Sequence, residues 1–229
     1  MSNSINFSDK QKAFLDYLIS FGKRNRKSIP PIQDISLELG MSPASLREQM
    51  ELAKNLGFIS TQPKKGVELL PYKFTPAASK SLYYAVNLDY DYFFQFSAIR
   101  SHLEKAYFLE SVSLLSNDDL LAINNLVKSA FQKLNGNPVQ IPHEEHRNYH
   151  LAFYAHQKNI FLTGILEAYW DVYEHMGLSL YSDLAYLKNV WTYHKKIAEL
   201  CLEKNYQEAY QLLGKHMEFI YERENHWQE

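Results

Sequence analysis

The sequence predicts a mainly α protein in two parts. Residues 1–73 read as a winged helix-turn-helix with a small β-hairpin wing, and residues 74–229 as an all-helical bundle of six or seven helices. Three observations carry this expectation. Two short amphipathic segments flank Gly40. Two strand-like runs flank a Pro/Lys/Gly turn. After Pro76 the apolar residues recur at helical spacing, with no convincing strand. With 46% hydrophobic residues and only eight Gly and eight Pro in 229, the chain reads as globular and not disordered.

The first helix is expected over residues 11–21, where Phe14, Leu15, Leu18, Ile19 and Phe21 supply the apolar positions. After Pro30-Pro31 a second short helix uses Ile32, Ile35, Leu37 and Leu39. Gly40 ends it, because Gly accepts a left-handed backbone without steric cost. Ser42 is placed to cap a third helix and Pro43 to open it, with Leu46, Met50 and Ala53 facing inward. Residues 57–61 and 67–70 read as strands, joined by the basic tip Gln62-Pro63-Lys64-Lys65-Gly66.

Prolines 71 and 76 bracket a junction. Beyond it, Thr75 caps a helix through about residue 86. A long helix over 89–115 carries Phe93, Phe96, Ile99, Leu103, Tyr107 and Val112. Ser116-Asn117-Asp118-Asp119 restarts the chain in a helix that ends near Leu134. Further helices are expected over 142–157, 160–181, 183–203 and 206–225.

A helix-turn-helix lays its second helix in a DNA major groove. Ser42, Ala44, Ser45, Arg47 and Gln49 would present a small, polar leading surface there, with Arg47 pairing a phosphate or a guanine. Lys64, Lys65 and Gly66 at the wing tip would touch the backbone or minor groove. The charge distribution agrees. The whole chain is −2, but residues 1–73 carry 11 Lys+Arg against 7 Asp+Glu, and the remainder 13 against 19. A basic head on an acidic body suits a DNA-binding domain joined to a sensor domain. Cys201 is alone and lies in an apolar helical pattern, which suits a buried thiol. The sequence shows no signal peptide and no apolar run able to span a bilayer, so a cytoplasmic protein without membrane contact is expected.

All nine histidines follow residue 100. His146 and His150, four apart, fall one turn apart on one helix face and make a workable pair of metal ligands. His194 and His216 lie equally far from the turn at Lys204-Asn205. If the last two helices pack antiparallel, these rings come level.

The segment 29–50 resembles the helix-turn-helix of GntR-type bacterial repressors, through Pro30, Ile35, Leu39-Gly40-Met41-Ser42 and Leu46-Arg47-Glu48. Where that family has Arg or Lys after the turn serine, this chain has Pro43-Ala44, one cationic contact fewer. The body is similar to the FCD effector domain of the FadR-like branch. The matching residues are Arg100 and Glu104, Tyr149-His150-Leu151 through Asn159-Ile160-Phe161-Leu162, His194 and His216. Metal-binding members use one Asp and three His, and the Asp position is His146 here. The resemblance therefore implies an all-imidazole set of His146, His150, His194 and His216, suited to Zn²⁺ or Ni²⁺ rather than an oxygen-preferring ion.

It also implies a small organic acid effector at the metal, with Arg100, Tyr149 and Tyr193 as effector-binding candidates; the alternative for Arg100 is an intrahelical pair with Glu104. The whole reads as a ligand-responsive homodimer gripping double-stranded operator DNA. Two other readings stand beside it: a metal-dependent helical enzyme with the His cluster catalytic, and a metal sensor with no organic effector. Against the enzyme, no carboxylate base or nucleophile is placed beside the histidines.

Overall fold

The computed structural model of the chain describes residues 7–62, 66–176 and 183–227, with side chains through Glu218. The chain divides into two units, Met1–Ala77 and Ala78–Glu229, with the division inside a helix that begins at Thr75.

The first unit runs α1 (Asp9–Lys23), β1 (Ser28–Ile29), α2 (Ile32–Leu39), α3 (Pro43–Asn55), β2 (Ile59–Gln62) and β3 (Gly66–Leu69). Ser8 and Gln11 form a reciprocal capping box that starts α1. Gly40 ends α2 at φ 61°, and Ser42 then accepts from the Ser45 N–H to start α3 behind Pro43. Phe14, Leu18, Ile35, Leu46, Met50, Ala53 and Ile59 meet in one core.

Two expected core residues point outward. Leu37 is 84% exposed and Ile19 is also exposed. Leu37 sits two residues, about 200° of helix, from the buried Ile35, so both cannot face inward. The wing hairpin pairs Ser60 with Glu68, and a third strand absent from the sequence reading, β1, pairs Ser28 with Glu68 on the other side of β3. The two residues of β1 are too few to show any alternation. Gly57 ends α3 at φ 75°, and a Cβ there would lie 2.6 Å from the Pro76 ring, so both conformation and space demand glycine.

Among the described residues the second unit holds seven helices: α4 (Thr75–Leu88), α5 (Asp91–Ser113), α6 (Asn117–Leu134), α7 (His143–Ala152), α8 (Ile160–His175), α9 (Leu184–Leu202) and α10 (Tyr206–Trp227). Caps fix several of these starts. Ser116 and Asp119 form a capping box, Asn159 accepts from Phe161 and Leu162, and Asp183 accepts from Tyr186. The helix expected to reach 157 stops at Ala152, because residues 153–156 continue as tight turns that bury Phe153 and Tyr154. The one expected to reach 181 closes at His175, and residues 177–182 lie outside those described.

Helix α5 departs furthest from expectation. Its buried face carries Phe93, Ser97, Arg100, Ser101, Glu104, Phe108, Ser111 and Val112, whereas Ile99 is half exposed. A mostly polar stripe turns inward because it has partners there, and these partners form the site.

Candidate metal centre

Three helices bring four imidazoles together. His146 and His150 come from α7, His194 from α9 and His216 from α10. Each offers a nitrogen, and the four nitrogens lie within 4.8 Å of one another. His150, His194 and His216 are buried and His146 half-buried. The Nε2 atoms of His194 and His216 approach to 2.9 Å, so α9 and α10 do bring these rings level across their turn.

Aromatic rings enclose the cluster. Trp170 stacks on His150 at 5.0 Å and meets His146 edge-on at 4.7 Å. Trp191 lies 4.8 Å from His194, and Tyr149 packs on the same ring at 4.2 Å. This dry setting decides the protonation state. Burial, followed by neighbouring positive charge, pulls all four histidines well below their ordinary value. They are neutral at neutral pH, the form that donates a lone pair.

A carboxylate stands behind one ring. His150 Nδ1 lies 3.0 Å from Glu104 Oε2 and 2.9 Å from Arg100 Nη2. With its proton on Nδ1, His150 donates to Glu104 and keeps its lone pair on Nε2, which then accepts from Arg100 Nη2 at 3.3 Å and would have to release it to hold an ion; a carboxylate behind the ring is the arrangement common at metal-ligating histidines. Arg100 Nε donates to Glu104 Oε1 at 2.5 Å, and its guanidinium lies over Tyr169 and Trp170 at 4.6 and 5.0 Å. Burial works against the Arg100 charge, but Glu104 outweighs it and holds the group above its ordinary value. Burial also pushes the Glu104 carboxyl up, opposed by Arg100. The intrahelical pair considered from sequence is therefore present, and it occupies the fork that an effector anion would need.

The four imidazoles fit a first-row metal ion. Nitrogens about 2.1 Å from one ion lie within about 4.2 Å of each other, so the 4.8 Å spread needs a closing of only about half an ångström. Among the described residues buried His194 Nδ1 meets no hydrogen-bond partner, and this unspent capacity is what an ion or a tautomer change would take up. The donor set is nitrogen only. Glu145, next to His146, is taken by Ser129 at 2.8 Å and Lys133 at 2.7 Å.

The other candidates scatter. The Tyr149 hydroxyl donates to the His194 carbonyl at 2.8 Å, so it positions α9 and is not free for an effector. Tyr193 is half-buried, about 100° around α9 from His194. In the first unit Ser42, Ala44 and Arg47 are exposed, Gln49 is half-buried and Gly66 is exposed. Ser45 is buried against the core side of α3, which removes it from the presented surface. Lys64 and Lys65 lie outside the described residues. Tyr169, Trp170 and Tyr173 went unread; the only signal was the aromatic density of residues 168–173, which reads equally well as plain core.

A family model described as the FCD domain matches residues 95–219. Among solved structures the chain is similar to E. coli McbR/YncC, at 16% identity over 98% of this chain and 100% of that one, with a TM-score of 0.52. It is also similar to Streptococcus agalactiae GntR, at 14% identity over 92% and 98%, with a TM-score of 0.60. These likenesses show the fold. No curated protein matches the chain.

Proposed function

This chain belongs to the FCD domain family, and from that premise we propose that it is a DNA-binding transcription regulator controlled through a four-histidine metal centre. The observation that carries the reading is the set of four neutral imidazole nitrogens within 4.8 Å, three on buried rings and one on a half-buried ring, in a chain whose first unit is a winged helix-turn-helix. His146, His150, His194 and His216 would hold Zn²⁺ or Ni²⁺, ions that suit imidazole. When bound, the ion supplies a Lewis-acidic centre to which the carboxylate of a small organic acid can coordinate.

The chain's own residues do the rest. Glu104 fixes the His150 tautomer, Arg100 pins Glu104, and the Trp170 and Trp191 rings exclude water. Arg100 offers the acid positive potential rather than a direct fork, because Glu104 holds its Nε. As a homodimer the protein would set two α3 helices against a two-fold operator, with Ser42, Ala44, Arg47, Gln49 and the wing at the DNA. Weakening operator affinity tenfold needs about 1.4 kcal/mol of coupling between the sites.

The enzymatic alternative requires a base able to move a proton. Glu104, the carboxylate touching the cluster, is locked by Arg100 and His150. The test is metal analysis by mass spectrometry together with duplex-DNA binding across a salt series. Binding that shows no fall with salt, or no binding at all, overturns the regulator reading. Operator binding that responds to an organic acid in a metal-free His150→Ala/His194→Ala double variant overturns the metal-mediated part.

A further inference from the structure

One fixed positive charge already sits beside the four imidazoles. Arg100 is 5% exposed, and its Nη2 lies 2.9 Å from His150 Nδ1 and 3.3 Å from His150 Nε2. A guanidinium does not give up its proton inside a protein, so this charge is permanent. Glu104 takes its Nε, and the faces of Tyr169 and Trp170 hold the guanidinium carbon at 4.6 and 5.0 Å. The approach of Nη2 to His150 is additional to those anchors.

The field of this charge reaches the whole cluster. Burial lowers the proton affinity of all four histidines, and Arg100 lowers it further on every one of them. Repulsion that opposes a proton opposes a divalent ion about twice as strongly, because Coulomb energy scales with charge. Use of the lone pair points the same way. An imidazole with its proton on Nδ1 has its single ring lone pair on Nε2. That lone pair cannot accept from Arg100 and bind an ion at once. The ligand set is four neutral rings, so no ligand offsets the guanidinium; Glu104 does so from behind His150.

We propose that Arg100 is a resident cation of the four-histidine centre: in the metal-free protein its guanidinium holds the His150 lone pair, it competes with an incoming ion for that lone pair, and it thereby sets how tightly the site holds metal. The inference rests on the metal centre proposed above and names a residue that regulates it. The Glu104 contact uses Nε and not Nη2, so the guanidinium can release His150 while keeping Glu104. The opposition falls equally on every divalent ion, so the order of preference stays the one imidazole imposes. Occupancy is what changes. Ions that imidazole holds weakly, Mn²⁺ among them, no longer load, whereas Zn²⁺ and Ni²⁺ still do.

The experiment measures Zn²⁺ and Mn²⁺ affinity of the full chain by competition with a chromogenic chelator, with folding checked by circular dichroism. Arg100→Gln removes the charge and keeps an amide able to donate to Glu104. It should bind both ions at least about tenfold more tightly than the wild type, which is about 1.4 kcal/mol. A residue that only held the site in shape would give the opposite sign, since its loss would loosen the metal. Arg100→Lys keeps the charge and should stay within about threefold of the wild type. Arg147→Gln removes a cation that lies between the two α7 histidines but is held by Asp171 at 2.9 Å. It too should stay within about threefold, because that pair is partly exposed and screened. A second measurement needs no variant. In nitrogen-15 NMR of the wild type, the guanidinium signal that exchanges slowly without metal should shift and exchange faster when Zn²⁺ is added.

Three results overturn the inference while Zn²⁺ binding by the wild type keeps the metal centre. They are a folded Arg100→Gln that holds Zn²⁺ no more tightly than the wild type, an Arg100→Lys as tight as Arg100→Gln, and a guanidinium signal unmoved by bound Zn²⁺. A wild type that takes no metal beside an Arg100→Gln that does ends the metal reading of the native protein and supports the inference. No metal on the wild type or on any folded Arg100 variant overturns both.

Discussion

His194 Nε2 lies 2.9 Å from His216 Nε2, in the interior between α9 and α10. Two neutral imidazoles at that distance either share one proton or converge on one cation. Burial has lowered the proton affinity of both, so the shared proton is weakly held, while their lone pairs remain available. With His146 and His150 beside them, the pair is better matched to a metal than to a proton.

Metal binding should therefore depend on all four rings. Replacing His194 with Ala removes the central donor and should weaken Zn²⁺ or Ni²⁺ affinity by at least about tenfold, read by competition with a chromogenic chelator. At metal a hundredfold above its dissociation constant, the loaded wild type should gain about 2.7 kcal/mol of stability over the chelated form. Equal urea midpoints with and without metal would contradict this.

The metal-free protein should lose stability as pH falls. The folded-state values of His150, His194 and His216 lie well below the ordinary one. Below about pH 6.5 the unfolded chain therefore binds protons that the fold refuses. Stability is fully present above that pH and drains below it, by about 1.4 kcal/mol per ring for each pH unit. Urea titrations between pH 7.5 and 5.5 measure the slope. Replacing His194 with Leu should remove one ring's share.

Some of this was legible in the sequence and some was not. The cap at Ser42, the turn at Gly40 and the level pairing of His194 with His216 follow from local rules, and the structure shows each of them. The support behind His150 was harder to read. It depends on α5 turning Arg100 and Glu104 inward and Ile99 outward, which contradicts helical amphipathicity read on one chain alone. Periodicity finds an apolar stripe but not what the stripe faces. Trp170 and Tyr169 were invisible for a related reason: their role comes from long-range packing on Arg100 and His150, with no local spacing to announce it.

Arg100 should be structural first. Replacing it with Ala leaves the Glu104 carboxylate buried without its main counter-charge and should cost about 3–5 kcal/mol, measured by urea unfolding. Changing Arg100 to Met together with Glu104 to Gln removes the charge problem and should recover part of that loss. The double variant should still bind metal less tightly, because an amide at position 104 does not accept from His150 as the native carboxylate does. A single Arg100→Ala as stable as the wild type would show that the buried pair carries no such strain.

The head should separate binding from folding. Arg47 is exposed on α3, whereas Leu46 beside it is fully buried. Arg47→Ala should leave the unfolding midpoint of the protein in place. If Arg47 meets a phosphate, it should weaken all duplexes alike and lower the slope of log affinity against log salt by about one. If it meets a guanine, the loss should fall on one base pair at about 1–3 kcal/mol, with the slope nearly unchanged. Leu46→Ala should instead destabilise by about 2–5 kcal/mol through the cavity it leaves. The contrast matters because Pro43 and Ala44 open the helix without a cation, and Ser45 turns inward. Arg47 is then the one basic side chain on the first two turns of α3. An Arg47→Ala variant with undiminished affinity and salt dependence would move the DNA contact away from α3.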